Sequence, residues 1–112
     1  MEIETSTVDD VTKVSLTGRL DTTGVSRIET HFAGMILPQG KHAIVDLSQV
    51  AFLASLGVRM LISVTRALSL KGRKLALYGA NEGVMEIIET TSLNEIVPVA
   101  ATEAEAIALV KA

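Results

Sequence analysis

The apolar run Ala43-Ile44-Val45 constrains the fold of this chain more than any other stretch. It lies in a strand-like segment, residues 42–47, and the next apolar run, residues 55–70, has helical spacing. A half-exposed strand alternates apolar and polar residues, whereas a parallel strand covered on both faces is apolar throughout. The run therefore predicts the central strand of a layered α/β fold with helices packed against it.

The remaining segments predict the order of the elements. Two β-branched segments, residues 3–7 and 12–17, flank Asp9-Asp10 and predict a hairpin, with Gly18 and Asp21 ending the second strand. Helices are expected at residues 23–36, 55–70, 82–91 and 102–110, and further strands at 74–78 and 96–99, with a loop at 48–54. This order, β-β-α-β-α-β-α-β-α, predicts a single α/β domain over residues 1–112, with a mixed, mostly parallel sheet and about four helices.

Composition narrows the classes of function. The chain has no cysteine, a net charge of −3 and only three aromatic residues, which argues against disulfides, thiolate chemistry and nucleic-acid binding. The acidic N-terminal segment does not resemble a signal peptide, and no apolar run approaches the ~18 residues of a membrane span. We therefore expect a cytoplasmic protein without direct membrane insertion.

No pattern of catalytic or cofactor-binding residues emerges. The two histidines, His31 and His42, fall in different predicted elements without acidic partners, so we expect no metal site. The chain also lacks a glycine-rich phosphate loop and a GxSxG elbow. The sequence therefore predicts a protein that is not an enzyme and needs no cofactor.

Two aspartates are candidates for a binding site. Asp46 interrupts the apolar strand near its predicted carboxyl end, and Asp21 ends the preceding strand-to-helix connection. Ligands and partners of open α/β sheets gather beyond the carboxyl ends of the strands, so we expect both carboxylates on the same rim. The alternative is structural, with each carboxylate accepting hydrogen bonds from nearby N–H groups. For Asp9-Asp10 we favour a turn role.

Ser55 opens the second predicted helix and has several features of a modification site. As the N-cap it would accept a hydrogen bond from the helix, and the helix N-terminus favours a bound phosphate. Gly57 is expected to keep the backbone accessible, and Arg59 is placed to pair with a phosphate on Ser55. We expect the core stripe of this helix to leave an apolar patch, Leu56 and Met60, partly exposed beside Ser55. Thr22 or Thr23 is the expected N-cap of the first helix, and Thr102 with Glu105 fits a capping box for the last.

Three segments resemble the STAS domain, the fold of bacterial anti-sigma factor antagonists and of the tails of sulfate-type transporters. LTGRLDTTGVSRIE resembles the family segment LxGxLDxxxxxxLE, and the stretch from IVDLSQVAFLASLG to the following strand resembles DLSxVxFxDSSGLxxLL and its continuation. VMEIIETTSLNEIVPVAATEAEAIA resembles the family's C-terminal segment. The resemblance covers nearly the whole chain and implies the STAS fold.

For the antagonists of this family, the resemblance implies a switch at the first serine of the DSSG motif. An anti-sigma factor that is also a serine kinase phosphorylates it, a PP2C-type phosphatase reverses this, and the unmodified antagonist binds the anti-sigma factor. The motif falls on Ala54, Ser55, Leu56 and Gly57, so Ser55 and Gly57 are kept while Ala54 and Leu56 depart from it. The expected partner-binding residues are Asp21, Thr22, Ala54, Ser55, Leu56, Gly57, Arg59 and Met60.

Two functions stay open at this point. The first is an anti-sigma factor antagonist, a monomer or weak dimer, that regulates transcription by partner switching through Ser55. The second is a non-phosphorylated STAS subunit of a membrane-associated complex for lipid or anion transport, which the changes at Ala54 and Leu56 motivate.

Overall fold

A computed structural model describes residues 1–112 and contains one five-stranded sheet and four α-helices. None of these helices combines the length and apolar character that crossing a membrane requires. The strands are β1 (Glu2–Val8), β2 (Val11–Leu20), β3 (Ala43–Leu53), β4 (Leu75–Tyr78) and β5 (Val99–Ala100). The helices are α1 (Thr22–Ile36), α2 (Ser55–Leu70), α3 (Glu82–Thr90) and α4 (Glu103–Lys111), and 3-10 turns occupy Leu37–Gln39 and Leu93–Glu95.

The sheet is mixed and mostly parallel, which confirms the predicted fold class. Its strand order is β1-β2-β3-β4-β5, with β1 antiparallel to β2 and every other neighbouring pair parallel. Asp9 and Asp10 form the two-residue turn of the hairpin, with φ values of 49° and 63°. Positive φ at both central positions is typical of the type I′ turn, whose twist matches that of the flanking strands. The acidic pair therefore serves turn geometry.

Helices cover the central strand on both faces, as the run Ala43-Ile44-Val45 predicted. Ala43, Val45 and Leu47 belong to the larger apolar core with side chains of α1, α2 and α3. Ile44 belongs to a smaller cluster on the other face, where α4 contributes Ala106 and Val110. The three helices that follow β2, β3 and β4 thus share one face, and α4 alone covers the other.

Two predicted strand ends were wrong, because β2 and β3 continue together past them. β2 runs through Gly18 to Leu20, and the predicted loop at residues 48–54 belongs mostly to β3, which extends to Leu53. The register of the pair is irregular between Ser15 and Thr17 and again between Gly18 and Arg19. Such irregularities break strict alternation, so the exposed residues of this segment suggested a loop.

The last predicted strand was displaced along the chain. Residues 96–99 were expected to be extended, but only Val99 and Ala100 enter the sheet, beside Leu77 and Tyr78. Val97 is fully buried and fills the larger core instead. β5 does lie at an edge, which was the position expected for the strand when it was predicted to contain Pro98.

Candidate functional site

The carboxyl ends of β2 and β3 bring the starts of two helices to one rim of the sheet. Leu20 pairs with Leu53, and the Ala54 N–H donates to the Leu20 carbonyl oxygen at 3.0 Å. α1 begins two residues after Leu20, and α2 begins two residues after Leu53. Asp21 and Ser55, which are far apart in sequence, therefore lie on the same rim.

Two glycines allow the helices to start this close to the strands. A Cβ on Gly24 would overlap the Arg19 carbonyl oxygen. A Cβ on Gly57 would lie 2.7 Å from Leu53 Cδ1 and 3.0 Å from both Leu20 Cβ and the Leu20 carbonyl oxygen. Gly57 is buried, so the expectation that it keeps the backbone accessible was wrong. Its role is to let α2 pack against the strand ends.

The first turn of α2 has no side-chain cap. Ala54 occupies the N-cap position, so the expectation that Ser55 would be the N-cap was wrong, and Ser55 is the first helical residue. Ala54 makes no side-chain capping bond, whereas the other three helices are capped by Asp21, Asn81 and Thr102. Early N–H groups of a helix have no acceptor within it, so this terminus keeps unpaired donors and its partial positive charge.

Asp21, rather than Thr22 or Thr23, caps α1. Its Oδ1 accepts from the Gly24 N–H at 2.9 Å, and its Oδ2 lies 3.3 Å from Arg19 Nε. The hydrogen bond from Gly24 is the main cause that holds the pKa of Asp21 below its ordinary value, and Arg19 adds to it. Thr22 follows as an exposed first residue of the helix. Asp21 is therefore an ionised, fixed carboxylate on the rim.

The surface around Ser55 is only partly the predicted one. Ser55 and Arg59 are exposed, Leu56 is 38% exposed, and Ala54 is half-buried. Met60 is only 1% exposed, so its predicted place on a surface patch was wrong. α2 packs against α1 as well as the sheet, which widens its buried arc beyond a single stripe.

Sequence reasoning missed two residues of this rim. Arg19 and Phe52 are neighbours across the pairing of β2 and β3, and the Arg19 guanidinium carbon lies 4.5 Å from the centroid of the Phe52 ring. Phe52 is 37% exposed, and Arg19 also contacts Asp21. An exposed aromatic residue such as Phe52 near the end of a strand would have indicated a binding surface, but residues 48–54 were interpreted as a loop. We use the name Ser55 rim hereafter for six residues: Arg19, Asp21, Phe52, Ser55, Leu56 and Arg59.

Asp46 does not belong to the Ser55 rim, contrary to expectation. β3 continues for seven residues beyond it, which corresponds to roughly 23 Å at the usual rise of a strand. Its Oδ1 accepts from the Ser48 N–H at 2.8 Å beside the irregular pairing of β2 and β3. Asp46 therefore has the structural role that was the alternative to binding: its carboxylate accepts a hydrogen bond from a nearby N–H.

A second cluster of ionisable groups joins α4 to the sheet. Lys13 Nζ lies 2.8 Å from Glu103 Oε2, and the Tyr78 hydroxyl donates to the same oxygen at 3.2 Å. The hydrogen bond between Lys13 and Glu103 raises the pKa of Lys13 and lowers the pKa of Glu103. Burial raises the pKa of Tyr78 to about 12. All three groups are engaged with one another, which is typical of a docking contact between elements.

The part of the Ser55 rim around Ser55 and Leu56 is open surface rather than a cleft. Neither Ser55 nor Leu56 lines any of the surface clefts, whereas Arg19 and Asp21 line one of about 320 Å³ at the start of α1. The largest cleft, about 610 Å³, lies between the ends of β4 and β5 and α3. His42 precedes β3 and therefore lies at its opposite end from Ser55, while His31 is exposed on α1. No three His, Asp or Glu side chains converge as a metal site would require. What the rim offers is an exposed hydroxyl beside apolar side chains and cations.

Comparisons with known proteins agree with this fold. A family model described as STAS domain matches residues 2–106. An anti-sigma-B factor antagonist of Staphylococcus epidermidis is 29% identical to the chain over 100 residues, which are 88% of this chain and 92% of the relative. The corresponding protein of Staphylococcus aureus strain NCTC 8325 is 26% identical over 99 residues, with the same shares of the two chains.

Solved structures are similar over the same extent. An anti-sigma factor antagonist from Mycobacterium paratuberculosis has a TM-score of 0.88 at 22% identity, covering 99% of this chain and 94% of that one. The Bacillus cell fate determinant SpoIIAA in its phosphorylated form has a TM-score of 0.65 at 22% identity, covering 97% and 99%. At these identities the two structures establish the fold.

Proposed function

Because the chain belongs to the STAS domain family, we propose that it is an anti-sigma factor antagonist whose Ser55 rim binds an anti-sigma factor. We further propose that this partner is a serine kinase that phosphorylates Ser55, that a PP2C-type phosphatase reverses the modification, and that the exchange takes place in the cytoplasm. The antagonist role is supported by the relatives from Staphylococcus, which are anti-sigma-B factor antagonists. Phosphorylation is supported by SpoIIAA, a protein of the same fold whose phosphorylated form has been solved.

One observation carries the proposal: Ser55 is exposed at a helix terminus that lacks a capping side chain. A phosphate on the first helical residue would lie near N–H groups that no cap occupies, at the positive end of the helix dipole. Arg59 is one turn further along the same helix and makes no ion pair, so its charge is free to approach the phosphate. The folded chain would therefore tolerate the modification.

The surroundings of Ser55 explain how the same phosphate would release a partner. A partner that covers Leu56 and the Phe52–Arg19 pair would also remove water from Ser55, which directly precedes Leu56 on the same rim. Burying the doubly charged phosphate there costs several kcal/mol, because Arg59 and the first-turn N–H groups replace only part of its hydration and the partner supplies no further cation. A loss of about 3 kcal/mol weakens binding more than a hundredfold. Binding of the partner and its release on phosphorylation thus depend on the same surface.

The test combines phosphopeptide mapping with a binding comparison. The chain is incubated with its anti-sigma kinase and ATP, and modified peptides are mapped in the wild type, in Ser55→Ala and in Ser63→Ala, a matched control at an exposed serine of the same helix. Modification is expected in the wild type and the control alone. In a pull-down, Ser55→Ala should retain the anti-sigma factor, and Ser55→Asp should lose most of it.

The alternative role, a STAS subunit of a lipid or anion transport complex, is separated by the same experiments. Two observations favour it: Ala54 leaves α2 without a polar cap, and Leu56 is apolar where the family motif has a serine. Recovery of a transport ATPase by all three forms, wild type, Ser55→Ala and Ser55→Asp, would contradict the antagonist proposal. Phosphate that persists in Ser55→Ala would contradict the assignment of the modified residue.

A further inference from the structure

Half of the cationic side chains of this chain lie at the end of the sheet opposite the Ser55 rim. They precede β3, connect α2 to β4 and end α4, and comprise Lys41, Lys71, Arg73, Lys74 and Lys111, hereafter the basic end. His42 lies among them, with its Nδ1 accepting from the Lys74 N–H at 3.0 Å. Burial lowers the pKa of His42, and the charges of Arg73, Lys74 and Lys111 lower it further, which places these cations around one imidazole.

Most of these charges are not neutralised by acidic side chains. Lys41 is the exception, with its Nζ 3.3 Å from Asp10 at the hairpin turn. Lys71 Nζ donates to the Leu37 carbonyl oxygen at 3.0 Å, and Lys74 Nζ donates to a backbone oxygen of Ala112 at 2.7 Å. Arg73 and Lys111 form no salt bridge. The basic end is therefore positive in a chain whose net charge is −3.

A fully exposed aliphatic side chain stands beside these cations. Leu70, the last residue of α2, is 91% exposed, whereas the other exposed large apolar side chains of the chain lie between 37% and 42%. It immediately precedes Lys71, and Arg73 and Lys74 follow in the same connection. Nothing in the fold covers Leu70, so its apolar surface is available to an environment outside the protein.

We propose that the basic end binds the surface of an anionic lipid bilayer, with Leu70 inserted among the lipid headgroups. Cations that face an anionic surface, together with an apolar side chain that enters the interface, are the two contributions on which peripheral membrane binding depends. A single-stranded nucleic acid would instead stack its bases on aromatic side chains. Phe32 is buried, while Phe52 and Tyr78 lie elsewhere in the sheet, so the basic end has none.

Such binding would leave the Ser55 rim free. Lys41 and His42 precede β3 and Ser55 follows it, so the eleven residues of the strand separate the two surfaces. A chain bound through the basic end would therefore present Ser55 to the solution. This inference does not depend on the proposed phosphorylation, since it concerns other residues.

Vesicle sedimentation tests the inference with matched variants. Phosphatidylcholine vesicles are compared with vesicles of equimolar phosphatidylcholine and phosphatidylglycerol, at low and at high salt. The double variant Arg73→Glu/Lys111→Glu is compared with Arg27→Glu/Arg66→Glu, which changes the net charge equally at two exposed arginines outside the basic end. Leu70→Ser removes the aliphatic group at a position where the fold does not use it.

The wild type should bind the anionic vesicles only, and more weakly at high salt. Because each cation near such a surface contributes about fivefold, Arg73→Glu/Lys111→Glu should reduce binding at least about 25-fold. Leu70→Ser should also weaken it, while the control pair should change it much less. Equal losses in the two double variants would overturn the inference, as would equal binding to both vesicles. Binding to polyglutamate or to a DNA duplex without binding to anionic vesicles would likewise overturn it.

Discussion

Glycine has opposite consequences at different positions of α1, because its surroundings differ. Gly24 lies in the first turn, where a side chain would meet the Arg19 carbonyl oxygen, while Gly34 has no atom within 4 Å of the place a Cβ would occupy. The first glycine permits a close contact between helix and strand, and the second only adds freedom to the unfolded chain. The residue type alone does not distinguish them.

We expect the two substitutions to shift stability in opposite directions. Gly24→Ala should lower the free energy of unfolding by about 1–3 kcal/mol or more, because the backbone oxygen of Arg19 cannot yield as a side chain does. Gly34→Ala should raise it by about 0.5–1 kcal/mol. Urea denaturation followed by circular dichroism measures both. A neutral Gly24→Ala would show that α1 does not start as close to β2 as described.

At the scale of the element, α2 is distinguished by its start. It combines an N-cap alanine with extended backbone geometry, φ −108° and ψ 173°, which is the geometry a capping side chain needs. The family motif has an aspartate at the position of Ala54. The helix nevertheless forms, because Val58, Leu61, Val64 and Leu68 bury one face against the sheet. Packing, rather than a capping side chain, therefore stabilises α2.

Restoring the family residue should stabilise the chain. Ala54→Asp should raise the free energy of unfolding by about 1 kcal/mol, because its carboxylate would accept from an unpaired N–H of the first turn. Asn81→Ala removes the existing cap of α3 and also the hydrogen bond from Asn81 Nδ2 to the Val50 carbonyl oxygen, so it should lower the free energy of unfolding by at least as much. Thermal or urea unfolding gives both values. A stabilised Asn81→Ala or a destabilised Ala54→Asp would contradict this account of the caps.

The elements were largely predictable, whereas the exact content of the rim was not. Burial determines both the continuous apolar run Ala43-Ile44-Val45 and the helical spacing of apolar residues in α2, and both patterns can be read from the sequence. The pairing of Arg19 with Phe52 depends on the register of two strands, which local periodicity does not contain. The burial of Met60 likewise depends on how α2 packs into the larger core, a tertiary feature outside any single helix.

At the scale of the whole molecule, two surfaces of different character occupy opposite ends of the sheet. The Ser55 rim combines apolar side chains with a hydroxyl, and the basic end concentrates cations around His42. His42 also holds the connection between α2 and β4, because its Nδ1 accepts from the Lys74 N–H. Its protonation state therefore affects the stability of the whole fold.

Stability should decrease on acidification through His42. Burial, with the nearby cations, lowers the pKa of His42 below its ordinary value of 6.5, so the folded state resists the proton that the unfolded chain accepts. The contribution is present above pH 6.5 and is lost as the pH falls through the lowered pKa of the folded state. Urea unfolding on both sides of pH 6.5 measures this. His42→Gln, which does not titrate, should show a smaller change, and an equal change would assign the effect to other groups.

The strand order has a consequence for how the chain can fold during its synthesis on the ribosome. Every strand pairs with its immediate predecessor in the chain, so the strand order allows each strand to pair with an earlier one as soon as it leaves the exit tunnel. No strand has to wait for a later one to separate it from its neighbour, and chain growth and sheet growth proceed in the same direction. The growing edge moves outward until the two-residue β5 pairs with Leu77 and Tyr78, the last two residues of β4, while the β1 edge stays unpaired throughout.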